Sequence, residues 1–241
     1  MQKFFTNSRD IEQTELTLCG ADARHICFSL RMAAGEKIVV CDGEGTDCLC
    51  ELVRLTGETV TVRVIERRPS DTEPPYRAVL YQALAKGDKM DYIVQKATEF
   101  GVTEIVPFES ARCIARIKEG KEKKTARWQR IAEEAAKQCG RGRIPRVCDP
   151  VEYRRAVGRA ASDGGKMFVC YENERTRSIS SVGKCASYSF FIGPEGGFEE
   201  EEIRFAEAAG AVTVGLGNRI LRCESASGFV LACLSFMNEL S

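Results

Sequence analysis

The sequence predicts an α/β protein in which a small β-rich domain precedes a larger domain built on a mainly parallel sheet. The chain has 241 residues and is 44% hydrophobic, which exceeds the commonest domain size of roughly 100 to 150 residues. Short alternating runs dominate the first third, whereas strand-like and helix-like runs alternate from Ala78 onward. The second pattern is typical of βαβ units.

Short β-rich runs define the first domain. Lys37–Cys41, Thr46–Val53 and Glu58–Ile65 are separated by glycine-containing turns, and this spacing predicts a small antiparallel barrel or sheet. Arg67–Pro75 follows, with three prolines that favour neither a sheet ladder nor a helix. We therefore interpret Arg67–Pro75 as a linker and place the domains at residues 1–72 and 73–241.

Helical and strand periods alternate in the second domain. Gly101 and Gly210 each follow a helical run, where glycine commonly terminates a helix. The alternation predicts a parallel sheet with helices on both faces. The predicted strands are Ala78–Leu84, Val102–Pro107, Met167–Tyr171, Tyr188–Ile192 and Ala211–Val214, and the predicted helices are Met90–Phe100, Ala126–Cys139, Glu199–Ala209 and Ala226–Leu240.

Composition argues against several classes of protein. Thirty-five Lys or Arg balance 35 Asp or Glu, so whole-chain charge says nothing about a polyanionic partner, and any nucleic-acid footprint must be local. No stretch approaches the roughly 18 apolar residues of a membrane span, and the N-terminus lacks the apolar core of a signal peptide. We therefore expect a soluble cytoplasmic protein. The twelve cysteines include no Cys-x-x-Cys pair, and we expect most of them to be small buried hydrophobic residues.

His25 is the single histidine of the chain. Zinc-ligand spacing is therefore absent, and no metal is expected. A Cys/His or Ser/His/Asp arrangement would have to use His25 as its base, although a lone histidine more often packs or caps than catalyses. We expect the chemistry to depend on other groups.

The segment Ile192–Phe198, Ile-Gly-Pro-Glu-Gly-Gly-Phe, joins a buried strand to a helix. Open parallel sheets bind ligands at this end of their strands, and glycines let backbone amides approach a ligand closely. A tight turn without a ligand is equally consistent with the spacing. The segment matches neither G-x-G-x-x-G nor a P-loop.

Four glutamates, Glu199–Glu202, occupy the first turn of the next helix. They suit the helix dipole but would repel the phosphates that glycine-rich loops of nucleotide sites usually bind. A cofactor with adenosine and a sulfonium but no phosphate fits this pattern better. The sequence therefore favours S-adenosyl-L-methionine.

A second glycine segment, Val214–Ala226, combines a strand end, a glycine turn, an apolar pair flanked by Arg219 and Arg222, and a helix start. Capping of that helix by Glu224 or Ser225 is as consistent with the spacing as a functional role. The helix is apolar on most sides, which predicts burial in the core or in an interface.

Basic residues are concentrated between Arg112 and Arg146. This stretch has 12 Lys or Arg against 4 Glu, a local net charge of +8, and can neutralise several backbone phosphates of a nucleic acid. Trp128 and the run Gln138–Arg143 add a stacking group and flexible arginines. A solvated helix face is the alternative interpretation.

Lys86, Asp91, Lys96 and Glu99 frame the first helix of the second domain. Their spacing alone favours exposed polar faces opposite an apolar stripe. Arg31 precedes the predicted barrel strands, and spacing alone favours no functional role for it either.

Together these segments resemble the SPOUT-class ribosomal RNA methyltransferases that modify N3 of a uridine in 16S RNA. The resemblance covers nearly the whole chain. Its most specific matches are Gly193–Phe198 and Leu216–Ala226, correctly ordered and separated. Further matches are His25 with Leu30 and Arg31, Asp42–Gly43, Lys86–Gly101, Ser110–Arg112, Arg127–Trp128, Ala135–Arg141 and Ile144–Pro145.

The resemblance implies a PUA-like β-barrel domain before a SPOUT methyltransferase domain with a C-terminal trefoil knot. It also implies a homodimer, a bent S-adenosyl-L-methionine held by knot loops, and 16S ribosomal RNA of the small subunit as substrate. Cys223 and Ser225 stand where the family commonly has threonines, and Ala111 stands where an acidic residue is frequent. The implied cofactor-binding residues are Ile192, Gly193, Pro194, Gly196, Gly197, Leu216, Gly217, Ile220 and Leu221.

Two residues are candidates for the chemistry: the resemblance gives the position of Arg222, and the lack of a suitable histidine leaves Arg222 and Glu224 for the catalytic roles. Arg222 would lie beside the transferred methyl and stabilise the anion that develops when uridine N3 loses its proton, and Glu224 is a weaker candidate base. The candidate RNA-binding residues are Arg31, Lys86, Arg112, Arg141 and Arg143.

Two other functions stay open on the sequence. A non-catalytic RNA-binding ribosome assembly factor fits the β-rich domain and the basic stretch but leaves Gly193–Phe198 without a purpose. A nucleotide-dependent oxidoreductase on a doubly wound sheet is disfavoured by the missing fingerprint and by Glu199–Glu202.

Overall fold

The computed structural model describes residues 2–6, 11–116 and 120–241. The chain forms two compact units, one from Met1–Glu73 with Ala136–Ile144 and the other from Pro74–Ala135 with Pro145–Ser241. Each unit has its own hydrophobic core. A single boundary along the chain therefore does not separate the two units, because Ala136–Ile144 belongs to the first unit.

A five-stranded sheet forms most of the first unit. Its elements are β1 (Lys3–Phe5), β2 (Glu15–Cys19), α1 (Gly20–Arg24), β3 (Lys37–Cys41), β4 (Thr46–Leu55) and β5 (Thr59–Pro69). The strand order is β1-β3-β4-β5-β2, in which β1 and β3 are parallel and the other pairs antiparallel. The predicted β-rich character is confirmed, and a π-helical turn, His25–Ser29, follows α1.

Residues 67–69 extend β5, so the prediction of a linker that begins at Arg67 is wrong. They pair with Thr46–Cys48 of β4. On the other side, β2 pairs with β5 only as far as Arg63. Pro69 is the last residue of β5, and among the described residues no strand pairs with it on the side of β2; prolines are found at such positions.

Glu73 holds the returning segment in the first unit. Its carboxylate accepts hydrogen bonds from the Arg141 guanidinium at 2.7 Å and from the backbone N–H groups of Gly142 at 2.9 Å and Arg143 at 3.0 Å. Arg141 is only 4% exposed, and a charge buried to this degree requires such a partner. The ion pair therefore fixes Arg141 inside this unit.

A seven-stranded sheet forms the centre of the second unit. Its order is β12-β10-β11-β6-β7-β8, with β9 beside β7, and every pairing is parallel. The predicted parallel sheet is therefore confirmed. The elements are β6 (Arg77–Ala83), α2 (Lys89–Glu99), β7 (Glu104–Glu109), α3 (Lys121–Cys139), β8 (Arg146–Val147), β9 (Val151–Glu152), α4 (Tyr153–Ser162), β10 (Lys166–Cys170), β11 (Ser187–Ile192), α5 (Glu200–Ala208), β12 (Val212–Val214) and α6 (Cys223–Asn238).

Helices α3, α4 and α6 differ from the sequence prediction. α3 begins at Lys121 and α6 at Cys223, both earlier than predicted, because their first turns are polar and lie outside the apolar stripes used to locate them. The prediction omits α4, whose buried side chains, Tyr153, Ala156, Val157 and Ala160, have helical spacing but contribute little apolar surface.

Aromatic packing covers one face of the sheet and α6 covers the other. The Tyr81 ring of β6 stacks on Phe191 of β11 with ring centroids 4.4 Å apart, and Tyr153 of α4 meets Phe191 edge-on. Tyr188 points to the opposite face because side chains alternate along a strand. Its hydroxyl donates to Asn238 of α6 at 3.2 Å. Helices thus lie on both faces.

The carboxyl ends of three neighbouring strands meet at one edge. The register places Cys170 of β10 beside Ile192 of β11 on one side and Val214 of β12 on the other. The loops after these strands therefore leave the sheet from one place, where open parallel sheets bind ligands. The trefoil knot stays a prediction.

No helix within residues 2–6, 11–116 and 120–241 has both the length and the apolar character needed to cross a bilayer.

Candidate active site

The loops after β10, β11 and β12 line an open cleft, and the space of about 620 Å³ between them includes its solvent-filled mouth. Eight of the nine predicted cofactor-binding residues line the cleft: Ile192, Gly193, Pro194, Gly197, Leu216, Gly217, Ile220 and Leu221. The structure therefore brings the two glycine segments together, although their binding role stays a prediction.

Gly196 is the ninth residue and does not line the cleft. Its carbonyl accepts a hydrogen bond from the Arg112 guanidinium at 3.1 Å. A Cβ at Gly196 would lie 3.3 Å from the Cβ of Arg112. Gly196 thus contacts Arg112 instead of lining the cleft.

Phe198 anchors the loop after β11. Its ring is 2% exposed and lies parallel to the Phe108 ring with centroids 6.2 Å apart. A Cβ at Gly193 would lie 3.0 Å from the Phe198 ring, so glycine allows the ring to cross the strand end. Gly197 has φ 70°, which favours glycine. The anchored loop therefore presents mainly backbone to the cleft.

Glu174 organises the loop after β10. Its carboxylate accepts hydrogen bonds from the backbone N–H groups of Thr176 at 2.7 Å and Arg177 at 3.1 Å, and from the Thr213 hydroxyl at 3.0 Å. Hydrogen bonds, those from Thr176 foremost, lower the pKa of Glu174 to about 2. A Cβ at Gly215 would lie 2.5 Å from the Glu174 carbonyl oxygen, so only glycine fits there.

The loop after β10 also lines the cleft, although no sequence motif predicts that role. It contributes Tyr171, Glu172, Glu174 and Arg175, and Cys170 ends the strand before it. The sequence does predict this strand. What the sequence does not predict is that β10 lies between β11 and β12 in the sheet. This position brings the loop after β10 to the same edge as the glycine segments.

The carboxylates at the start of α5 are engaged by the protein. Glu202 accepts hydrogen bonds from the Ser110 hydroxyl and from the backbone N–H groups of Ala111 and Glu199, each at 3.0 Å. Glu199 lies 3.8 Å from Arg112. Protein carboxylates therefore occupy the helix end at which a phosphate would otherwise bind.

Arg222 is the N-cap residue of α6, with φ −68° and ψ 151°. Its carbonyl accepts the N–H groups of Ser225 and Ala226, both at 2.9 Å, and its side chain is exposed. The neighbours Leu221 and Cys223 line the cleft, whereas Arg222 does not. Its predicted place beside the transferred methyl stays a prediction.

Glu224 is engaged by two neighbours. Its carboxylate lies 3.2 Å from the Lys89 ammonium and accepts a hydrogen bond from the Cys223 thiol at 3.2 Å. Burial raises the pKa of Glu224, but its own backbone N–H, the thiol and Lys89 more than offset burial and lower it. A carboxylate of lowered pKa accepts protons weakly at neutral pH, which disfavours Glu224 as a base.

The predicted RNA-binding residues fall in both units. In the first unit Arg31 and Arg143 are exposed, and Arg31 has φ 53°. Arg141 lies in the buried ion pair described above, which leaves its guanidinium no access to a phosphate. In the second unit Lys86 and Arg112 are exposed.

The basic stretch from Arg112 to Arg146 continues on α3. Residues 117–119 of this stretch lie outside the described residues. Lys121, Lys123, Lys124, Arg127 and Arg130 are exposed. Trp128 is 5% exposed and belongs to the hydrophobic core, so the prediction that it supplies a stacking group is wrong; it lies on the buried face of an amphipathic helix.

Metal-ligand clusters and disulfides do not contribute to the site. Across the part of the chain that the structure describes, no group of three or more His, Cys, Asp or Glu is arranged to hold a metal ion. The twelve cysteines are free thiols, of which six are buried and four half-buried.

Two family models match the chain. An RNA methyltransferase domain matches residues 72–235, and an RNA methyltransferase PUA domain matches residues 18–65. The first match covers more than half of the chain. Fold, site and matches together define the class as RNA methyltransferases that carry a PUA domain.

Individual relatives narrow this class. Ribosomal RNA small subunit methyltransferase E of Bacillus subtilis (strain 168) is 34% identical over 252 aligned residues, covering 100% of this chain and 98% of that protein. The protein of the same name from Mesomycoplasma hyopneumoniae is 31% identical, with 96% and 97% covered. The crystal structure of this enzyme from Neisseria gonorrhoeae, bound to S-adenosyl methionine, has a TM-score of 0.85 and 31% identity, with 98% and 97% covered.

The chain belongs to the ribosomal RNA small subunit methyltransferase E family. The predicted fold class, a PUA-like domain before a SPOUT-type parallel sheet, is confirmed by these similarities and by the sheet order.

Proposed function

We propose that the chain transfers a methyl group from S-adenosyl-L-methionine to N3 of a uridine in 16S ribosomal RNA of the small subunit, in the cytoplasm. The observation that carries the proposal is the cleft in which the two glycine segments meet. It occurs in a family whose Neisseria gonorrhoeae member is bound to S-adenosyl methionine. The choice of uridine N3 rests on the resemblance of these segments alone.

The residues of the cleft fit this cofactor. Leu216 and Leu221 supply apolar surface suited to an adenine ring, and Gly193 leaves backbone groups uncovered. Glu172 and Glu174 line the same cleft; their carboxylates favour hydroxyl and ammonium groups and repel phosphate. S-adenosyl-L-methionine has ribose hydroxyls and an ammonium group but no phosphate.

Arg222 is assigned to stabilise the charge on the substrate. Bound S-adenosyl-L-methionine supplies a methyl group whose former bonding electrons remain on the sulfur when the methyl joins N3. Uridine N3 loses a proton in the reaction, and the resulting charge spreads over O2 and O4. The guanidinium extends from the N-cap of α6, and hydrogen bonds from it to O2 or O4 would stabilise that charge. Glu224 stays the weaker candidate base, because its pKa is lowered.

We assign RNA binding to exposed cations of both units. Residues 1–72 would form the PUA-like RNA-binding domain, with Arg31 as a phosphate contact, and residues 73–241 the methyltransferase domain, with Lys86 and Arg112. Arg143 would act with the first unit, in which its segment lies. A stacked uridine cannot be reached by the cleft, so the target base must be extruded or unstacked.

Methyl transfer is tested with methyl-labelled S-adenosyl-L-methionine and either unmethylated small subunits or naked 16S RNA, followed by mass spectrometry of the nucleosides. We expect N3-methyluridine. A different methylated nucleoside would refute the choice of target but leave the enzyme class intact. RNA binding without any transfer would instead support a non-catalytic assembly factor.

Arg222→Ala should lower kcat by about 100-fold, the effect typical of removing one donor that stabilises developing charge. The affinity for S-adenosyl-L-methionine should stay within about twofold, because Arg222 does not line the cleft. Arg222→Lys, which keeps the charge, is the matched control and should retain part of the activity. Single-turnover rates together with calorimetric titration separate the two effects, and an unchanged kcat in Arg222→Ala contradicts the assignment.

We also propose a homodimer formed through α6. Ser225, Phe229, Ala232 and Phe236 are exposed, and their helical spacing places them on one face. Phe229 is 39% and Phe236 62% exposed. Exposed phenylalanines that share one helix face are typical of an interface.

Sedimentation equilibrium tests the dimer. We expect a mass twice that of one chain, and Phe236→Asp should shift it toward that of a single chain because a buried, unpaired carboxylate destabilises an interface. A single-chain mass for the unaltered protein, at micromolar concentration, contradicts the proposal.

A further inference from the structure

Lys89, the first residue of α2, connects the two glycine segments. Its ammonium nitrogen lies 3.2 Å from a carboxylate oxygen of Glu195 and 3.2 Å from one of Glu224. Glu195 belongs to the loop after β11, and Glu224 lies in the first turn of α6, after the loop that follows β12. One cation therefore ties both loops to a third element.

We propose that Lys89 is a positioning residue for methyl transfer, which keeps the loops after β11 and β12 fixed relative to each other. The catalytic consequence rests on the proposed function, whereas the link between the loops can be measured without cofactor or RNA.

The start of α2 is arranged to receive Glu195. The backbone N–H of Lys86 donates to the same Glu195 oxygen that Lys89 contacts, at 3.1 Å. A carboxylate at a helix N-terminus also interacts favourably with the helix dipole. Glu195 does not line the cleft, so the acidic residue of the glycine segment binds α2 instead of the space between the loops.

The cluster holds two carboxylates and one cation in a partly buried volume. The side chains of Lys89, Glu195 and Glu224 are 30%, 26% and 18% exposed. Burial raises the pKa of both carboxyl groups, yet hydrogen bonds and Lys89 lower both pKa values. Burial, the hydrogen bond to Glu224 and the two negative charges raise the pKa of the Cys223 thiol to about 12, so the thiol stays neutral.

Other charged groups near the cluster do not replace Lys89. Asp88, at the N-cap of α2, lies 3.7 Å from Arg127 and is exposed. Lys86 contributes its backbone N–H and has an exposed side chain. Arg222 is exposed as well. The ammonium of Lys89 is thus the counter-ion that contacts both carboxylates.

Loss of this ammonium leaves Glu195 and Glu224 facing each other without a counter-ion. Like charges at this range repel, and the simplest relief is separation of the two loops. Arg222 lies two residues before Glu224 and begins the same helix, so a shift of Glu224 displaces the residue assigned to stabilise the substrate.

Hydrogen exchange of the full-length, ligand-free protein tests the link. Lys89→Met should increase exchange in residues 193–198 and in residues 215–222 by about tenfold at pH 7.5, because local opening becomes easier when a stabilising contact is lost. Lys89→Arg keeps the charge and should stay close to the unaltered protein. Unchanged exchange in Lys89→Met, or faster exchange in one loop alone, overturns the proposal.

The pH profile separates charge from packing. In Lys89→Met each carboxylate lacks its cation and faces the other, so one pKa rises and that group becomes neutral in mild acid. The excess exchange of Lys89→Met over the unaltered protein should therefore shrink as pH falls from 7.5 to about 5. Lys89→Met with Glu224→Gln should show little excess at either pH. An excess independent of pH in both variants indicates lost packing and overturns the proposal.

Turnover is the third measurement. Lys89→Met should lower kcat and weaken S-adenosyl-L-methionine binding, each by about tenfold, and Lys89→Arg should restore most of both. Unchanged turnover in Lys89→Met, with active unaltered enzyme, refutes the positioning role. If the unaltered protein transfers no methyl group, the proposed function fails, and the exchange measurements alone decide whether Lys89 links the loops.

Discussion

Parallel pairing of β12, β10 and β11 forces three loops to leave the sheet at one edge, and the cleft depends on this crowding. Three chain segments share so little space that some positions exclude side chains. At Gly215 a Cβ would lie 2.5 Å from the Glu174 carbonyl oxygen, and at Gly193 one would press on the Phe198 ring. The glycines are therefore a consequence of how the loops converge, and the uncovered backbone they leave is what a small ligand can contact.

The carboxylates at the same edge of the sheet determine which charged ligands it favours. Three carboxylates there have defined partners: Glu174 the amides of its own loop, Glu202 the Ser110 hydroxyl and nearby amides, and Glu224 the Lys89 ammonium. The lowered pKa values of Glu174 and Glu224 keep negative charge at this edge, which is unfavourable for a phosphate and compatible with a cationic, phosphate-free cofactor. Because Glu224 is paired with Lys89 and its pKa is lowered, Glu224 is better suited to fixing the position of its loop than to accepting a proton.

Local features of the sequence were predictable, whereas features set by distant partners were not. Gly193–Phe198 and Leu216–Ala226 carry their information in consecutive residues, and the parallel sheet follows from alternating periods. The loop at Tyr171–Arg175 joins the site only through strand order. Arg141 looks like an exposed cation of a basic stretch, but Glu73, distant in sequence, buries it. The extension of β5 through Pro69 likewise depends on its pairing with Thr46–Cys48 of β4.

The most direct test of the account is calorimetric titration of S-adenosyl-L-methionine into the unaltered protein and into Gly215→Ala. The alanine methyl group would meet the Glu174 carbonyl oxygen and push apart two loops that line the cleft. Overpacking of this kind costs about 1 to 3 kcal/mol, so affinity should fall by about fivefold to 150-fold if binding has to restore the original loop positions. Gly158→Ala, where an added Cβ meets nothing within 4 Å, is the matched control and should bind like the unaltered protein. Equal affinity in all three proteins would contradict the assignment of this cleft to the cofactor.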